Sequence, residues 1–258
     1  MRMVFSGLIL TIASLLTNKE NLISMLKDKR SVLELVLFAL FGLLFNQVSY
    51  LEAINNSNSG TATILQYIGP VFCMITECIL IKRLPTKKEV GAIMLAMIGT
   101  FILATHGDIH RIYITPLGLM WGLFSAFAIV FYTFLPIRLI GKYGAIPVTG
   151  CAMLIGGAIT STCSKAFLQP FNTNPKFIML LILIILLGTI VSYTLYLMGI
   201  NRCGPVVASM LASIEPVSAT VFMVILLNVP FTGIEALGFA CIFVTVFILA
   251  RSKATNKK

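Results

Sequence analysis

Nine apolar runs constrain what this chain can fold into: 3–16, 32–54, 59–81, 90–105, 113–135, 147–164, 177–199, 205–227 and 234–250. A bilayer's hydrocarbon core is about 30 Å thick and takes about 20 helical residues to cross. Unpaired backbone groups are too costly there for anything but helices or closed barrels. The runs are continuous rather than alternating, so the expected class is all-α: a polytopic membrane protein with nine transmembrane helices. Composition agrees, since only 11% of the residues are charged, against about 25% in a soluble domain. The breaks carry turn-formers, among them Asn55, Asn58, Pro85, Pro116, Pro170, Pro175 and Pro230. The first run, with 14 residues, is short for a span; a signal peptide would read similarly, but no small-residue cleavage site precedes Asn18.

The net charge of +10 would suit a nucleic-acid partner, but its placement points elsewhere. Fifteen of the 19 Lys and Arg fall in alternate breaks and the basic tail 251–258, and four (Arg2, Arg111, Lys165, Lys176) fall on the other side. Basic residues collect on the cytoplasmic side. The expected arrangement is therefore a multi-pass cell-membrane protein with a cytoplasmic C-terminus, and no nucleic-acid partner. The six cysteines lie in or beside apolar runs without metal-ligand spacing, and read as small packing residues. His106 and His110 flank an outer break and lack the glutamate of a zinc-protease helix. There is no Walker loop, so no metal, cofactor or direct ATP drive is expected.

Shifted against itself by 146 residues, the chain aligns 50–104 with 196–250 at 17 identities in 55 positions. Tyr50, Leu51, Ile54 and Asn55 fall on Tyr196, Leu197, Ile200 and Asn201; Pro70 falls on Pro216, Thr86 on Thr232 and Glu89 on Glu235. Shared apolar composition does not produce coincident Pro, Asn, Thr and Glu. The second, third and fourth runs thus repeat as the seventh, eighth and ninth. The first corresponds to the sixth, and the fifth has no partner. A repeat unit of five helices is odd in number, so the second copy enters the membrane in the opposite sense. Residues 1–105 form the first repeat, without its first helix, and 113–250 the second.

Inverted repeats flanking a midplane site are a device of secondary transporters. The stretches YLEAINNSNSGTATILQYIGPVF and YLMGINRCGPVVASMLASIEPVSATVF, each followed by a turn and a Gly-rich helix, resemble the EamA-type members of the drug/metabolite transporter superfamily. The resemblance implies one EamA domain per half in a ten-helix fold. It also implies a small-molecule substrate and a bacterial plasma membrane. Two departures stand out: the family's first helix is absent, and its Gly-Glu pairs after the fourth and ninth helices are replaced by Lys82-Arg83 and Asn228-Val229.

Charge near a bilayer's middle is expensive and marks functional candidates. Glu215 lies near the centre of the eighth run, directly before Pro216, whose missing N–H leaves a carbonyl free one turn earlier. It serves either as a binding group or as a carboxylate paired for stability. Gln66, Pro70, Cys73 and Glu77 share one helical stripe, with Gln66 and Tyr67 near the midplane. Glu77 lies nearer a helix end, where it binds substrate, pairs with Lys82 or is simply hydrated. Tyr50 and Tyr196 either line a cavity or anchor helix ends at the interface. Asn46, Gln47, Tyr193 and Trp121 are weaker candidates. Gly118 and Gly122 permit close helix approach, within the bundle or in a homodimer.

The expectation is a secondary active carrier of a small polar or amphipathic metabolite, an amino acid or related compound, working by alternating access. Glu215 would bind a cationic group or take up a proton from a coupling gradient. The alternatives are a non-transporting bundle that needs a partner helix, and an intramembrane enzyme, for which no nucleophile–base pair or metal cluster is visible.

Overall fold

The computed structural model describes residues 2–105, 108, 110, 115–163, 174–212, 214, 215, 217, 218, 221 and 233–255. Pro216, His106 and the break 228–232, singled out above, lie outside the described residues. Every regular element among those described is helical. Five stretches are long and apolar enough to cross a membrane: Lys29–Asn55, Ser59–Ile81, Pro116–Tyr143, Ala145–Cys163 and Phe177–Cys203. Arg2–Thr17 and Ala236–Thr245 are shorter apolar helices.

Helix α1 spans Arg2–Thr17 and α2 spans Lys19–Lys27. Helix α3 runs as Lys29–Leu37, a π-helical segment Phe38–Leu44, and Phe45–Asn55. The third apolar run is divided into α4, Ser59–Gln66, and α5, Gly69–Ile81. Then come α6, Lys87–Thr105; α7, Pro116–Phe134; α8, Ile137–Tyr143; and α9, Ala145–Cys163. Helix α10 runs as Pro175–Ile185, a second π segment Leu186–Val191, and Ser192–Cys203. It is followed by α11, Pro205–Leu211, and α12, Gly233–Thr255. Two breaks between runs are thus themselves helical, as α2 and α8.

Local chemistry sets these boundaries. Asp28 caps α3 by accepting from the Arg30 N–H at 3.1 Å, and Asn58 caps α4 by accepting from the Thr61 N–H at 2.7 Å. Pro70 has no N–H for the Gln66 carbonyl one turn back, so the helix stops at Gln66 and restarts at Gly69. Thr86 and Glu89 form a reciprocal capping box at the start of α6: Glu89 accepts from the Thr86 N–H at 2.8 Å, and Thr86 accepts from the Glu89 N–H at 3.3 Å. Gly144 and Gly204, both at positive φ, end α8 and α10.

The chain forms two compact units. The first comprises Met1–Phe45 and Phe131–Gly204, the second Asn46–Val130 and Pro205–Lys258. In the first, α1 packs against α9 through glycines. A Cβ on Gly7 would lie 2.7 Å from the Leu154 nitrogen, one on Gly150 2.9 Å from the Thr11 nitrogen, and one on Gly157 2.8 Å from the Val4 nitrogen. Rising numbers on one helix meet falling numbers on the other, so the pair is antiparallel. In the second unit, α6 packs against α12 in the same manner. A Cβ on Gly99 would lie 2.9 Å from the Gly238 carbonyl oxygen, while the Thr245 hydroxyl donates to the Ala92 carbonyl at 3.3 Å. The Gly118–Gly122 face of α7 is occupied within this unit: Asn56, Ser57 and Leu65 lie against it.

Candidate functional site

In the second unit the break between α4 and α5 presents Tyr67. Its hydroxyl donates to the Ala212 carbonyl at 3.1 Å, just past the end of α11. Pro216 cannot supply that carbonyl with an N–H, so the Tyr67 hydroxyl and the Glu215 N–H, at 2.9 Å, satisfy it instead. The Glu215 side chain interacts with the Tyr67 hydroxyl, and its charge is felt by Tyr50 as well. Glu215 is not enclosed by the described residues around it. A carboxylate beside a phenol hydroxyl can exchange a proton or meet a cation.

Tyr50 shares a hydrogen bond with the Thr63 hydroxyl at 2.9 Å, and Thr63 in turn donates to the Ser59 carbonyl at 2.8 Å. Gln66 donates to the Asn46 side-chain oxygen at 3.3 Å. Four of the sequence candidates, Tyr50, Gln66, Tyr67 and Glu215, therefore gather within this unit, and Asn46 joins them. Thr63 was missed, although its place one helical turn before Tyr67 puts it on the same face.

Tyr196 belongs to the first unit, in a stack of aromatic rings. Tyr132 lies between Phe38, at 5.9 Å and 18°, and Tyr196, at 5.0 Å and 16°, with Tyr193 edge-on at 5.6 Å. The Tyr196 hydroxyl is hydrogen-bonded to Thr133 at 2.8 Å. Tyr132 and Thr133 escaped sequence reasoning because the fifth run has no repeat partner to flag them.

Glu77 is committed to an ion pair, and its partner is Arg83 rather than Lys82. The Arg83 guanidinium donates to Glu77 at 2.7 Å and to both Glu89 oxygens at 2.8 Å. The hydrogen bonds from Arg83, followed by those from Thr86, pull the Glu89 carboxyl down to about 2. The two carboxylates push the guanidinium upward. A second polar cluster ties α3 to α8 in the first unit. Asp28 accepts from the Ser31 hydroxyl at 2.7 Å and from Lys142 at 3.3 Å, and Arg138 donates to Glu34 at 2.6 Å. The Ser31 hydrogen bond, with Lys142 and the Arg30 N–H, holds the Asp28 carboxyl well below the usual carboxylate range. Trp121 packs edge-on against Phe124 at 5.9 Å.

With this geometry in view, known proteins give the chain a context. The family described as EamA-like transporter matches residues 1–105 and 116–251. An uncharacterized inner membrane transporter of Salmonella typhimurium (strain LT2), YicL, is 34% identical over 249 residues, which span 96% of this chain and 83% of that protein. A crystal structure whose description names no function shares the fold, with a TM-score of 0.79 at 16% identity, over 96% of this chain and 85% of that one.

Proposed function

We propose, on the premise that this chain belongs to the EamA-like transporter family, that it is a secondary active carrier of a small polar or amphipathic metabolite, an amino acid or related compound. The family and the transporter-named relative make it a multi-pass membrane transporter and not an enzyme. The finer reading is alternating access between the repeats 1–105 and 113–250, mounted in opposite senses in the cell membrane with the C-terminus cytoplasmic.

Helix packing supports the inverted reading. The 146-residue register carries Ala92 onto Gly238 and Thr245 back onto Gly99, so the Ala92–Thr245 contact and the Gly99–Gly238 contact are images of one another. A two-fold axis in the membrane plane relates helices in this antiparallel way. The observation that carries the site is the Tyr67–Ala212 hydrogen bond. The register pairs Gln66 with Ala212 and Tyr67 with Ser213, so this contact falls within one residue of its own image and therefore close to the axis. Glu215, Tyr67, Tyr50 and Gln66 would line the binding site there. Pro70 breaks the helix between Gln66 and Gly69, and Pro216, with no N–H to give, would do the same in the second copy. Glu215 would hold the substrate's cationic group or the coupling proton; Tyr196 stays a separate substrate-binding candidate within the first unit's own aromatic stack.

The test is uptake of a radiolabelled amino-acid panel into proteoliposomes under an imposed pH gradient, comparing the native protein with Glu215→Gln. Loss of one charge-assisted contact predicts a fall in flux of at least about tenfold, with the thermal midpoint retained. Flux and pH profile both unchanged would remove Glu215 from the mechanism. Cysteines placed at Lys87 and Gly233, probed on intact cells with an impermeant thiol reagent, test the topology separately, because opposite senses require one position to label and the other not.

A further inference from the structure

The end of α5 carries a recess that the transport reading does not use. It has a volume of about 400 Å³ and is lined by Met74, Ile75, Cys78, Ile79, Leu84 and Lys82. Its wall is open to the surroundings: Ile75 is 46% exposed, Ile79 70% and Leu84 87%. The rim is cationic. Lys82 and Arg83 both line it, and the chain from Lys82 to Glu89 carries two further lysines, Lys87 and Lys88. The Glu77 and Glu89 carboxylates are both taken by Arg83, and among the described residues no carboxylate pairs with Lys82.

The backbone of Lys82 is the second, independent observation. It closes α5 in the left-handed conformation, at φ 53° and ψ 45°, and is the one non-glycine residue at positive φ among those described. The Arg83 N–H donates back to the Cys78 carbonyl at 3.0 Å and the Lys82 N–H to Ile79 at 3.3 Å, the closing pattern of a helix whose left-handed position glycine or asparagine normally fills. A long β-substituted side chain there works against the backbone. The repeat register places Asn228 opposite Lys82, so the second copy has a residue suited to that conformation while the first has a lysine. The backbone gains nothing from that ammonium, whereas a ligand at the rim would.

We infer that this recess is a binding site for an anionic glycerophospholipid, with an acyl chain along Ile75, Ile79 and Leu84 and the headgroup phosphate on the Lys82 ammonium. Apolar wall and unpaired cation stand at one membrane–water boundary, which is where a phospholipid presents the complementary pair of groups. The site is independent of any role for Glu215.

The experiment compares native protein, Lys82→Gly and Lys82→Arg, each delipidated in detergent. Thermal midpoints are read with added phosphatidylglycerol, phosphatidylcholine or inorganic phosphate, and retained lipid is counted by native mass spectrometry. Glycine suits the left-handed position, so Lys82→Gly keeps or raises the lipid-free midpoint while its apparent affinity for phosphatidylglycerol falls roughly tenfold. Lys82→Arg retains the affinity, and phosphatidylcholine and inorganic phosphate shift the native midpoint little. Equal responses of native protein and Lys82→Gly to phosphatidylglycerol overturn the inference. So does an equal response of the native protein to either control.

Discussion

Replacing Gly150 by alanine should wedge α1 away from α9. The added methyl would sit 2.9 Å from the Thr11 nitrogen, 2.9 Å from the Thr11 hydroxyl and 3.0 Å from the Leu10 Cβ. Carbon contacts settle at about 3.5 to 4.0 Å, and two of these three atoms, a backbone nitrogen and a Cβ, do not rotate aside. Relief therefore requires the helices to part by roughly 0.5 Å. A gap of that size forfeits about a quarter of each pair's 0.1–0.2 kcal/mol, and across some tens of atom pairs the loss approaches about 1 kcal/mol. Residual strain brings the overpacking cost to about 1–3 kcal/mol, of which alanine's better helix propensity within α9 offsets at most about 1 kcal/mol. Gly141→Ala is the matched control: a Cβ there meets nothing within 4 Å, and helix propensity makes alanine about 1 kcal/mol better than glycine. Thermal unfolding in detergent should therefore order the proteins as Gly141→Ala, native, Gly150→Ala, from most to least stable. A Gly150→Ala protein as stable as Gly141→Ala would show that the two helices do not meet at these glycines.

Two further outcomes follow from the polar contacts. Tyr67→Phe removes the hydroxyl that donates to Ala212 and should cost about 1 kcal/mol in a denaturant titration, with flux reduced more than stability; normal flux would place Tyr67 outside the transport path. Because the folded Glu89 carboxyl is held at about 2, below its ordinary 4.5, its contribution to stability is present above pH 4.5 and is lost as the pH falls toward 2. Glu89→Gln should flatten that part of a midpoint-against-pH curve, and an unaltered acid limb would show that Arg83 does not hold the carboxylate.

Much of the architecture was legible in the chain because transfer from water to lipid is a property of each segment alone. Apolar run length marked out the helical class and the five stretches long enough to cross a membrane; Lys and Arg placement gave a proposed orientation, and coincident Pro, Asn, Thr and Glu a proposed repeat. Even the break at Pro70 was readable, since a proline withholds its N–H wherever it sits. The carbonyl freed ahead of Pro216 was foreseen too; that the Tyr67 hydroxyl satisfies it was not.

Partnership was decided only in three dimensions. Lipid tails are as apolar as leucine, so hydrophobicity does not say which helix meets which; close fit of small residues and polar contacts do. Tyr50 and Tyr196 are equivalent in sequence, yet one meets Thr63 beside Tyr67 and the other stacks on Tyr132. Glu77 was open to substrate binding, pairing with Lys82 or hydration; in the fold it pairs with Arg83, because the left-handed turn at Lys82 sends the next residue back along α5. The π segments Phe38–Leu44 and Leu186–Val191 each hold one of the register-matched pair Gly42 and Gly188, but nothing in the sequence marked those glycines as π-helical. An extra residue within a helical turn is set by what the neighbouring helices demand, and those neighbours are brought together only by the fold.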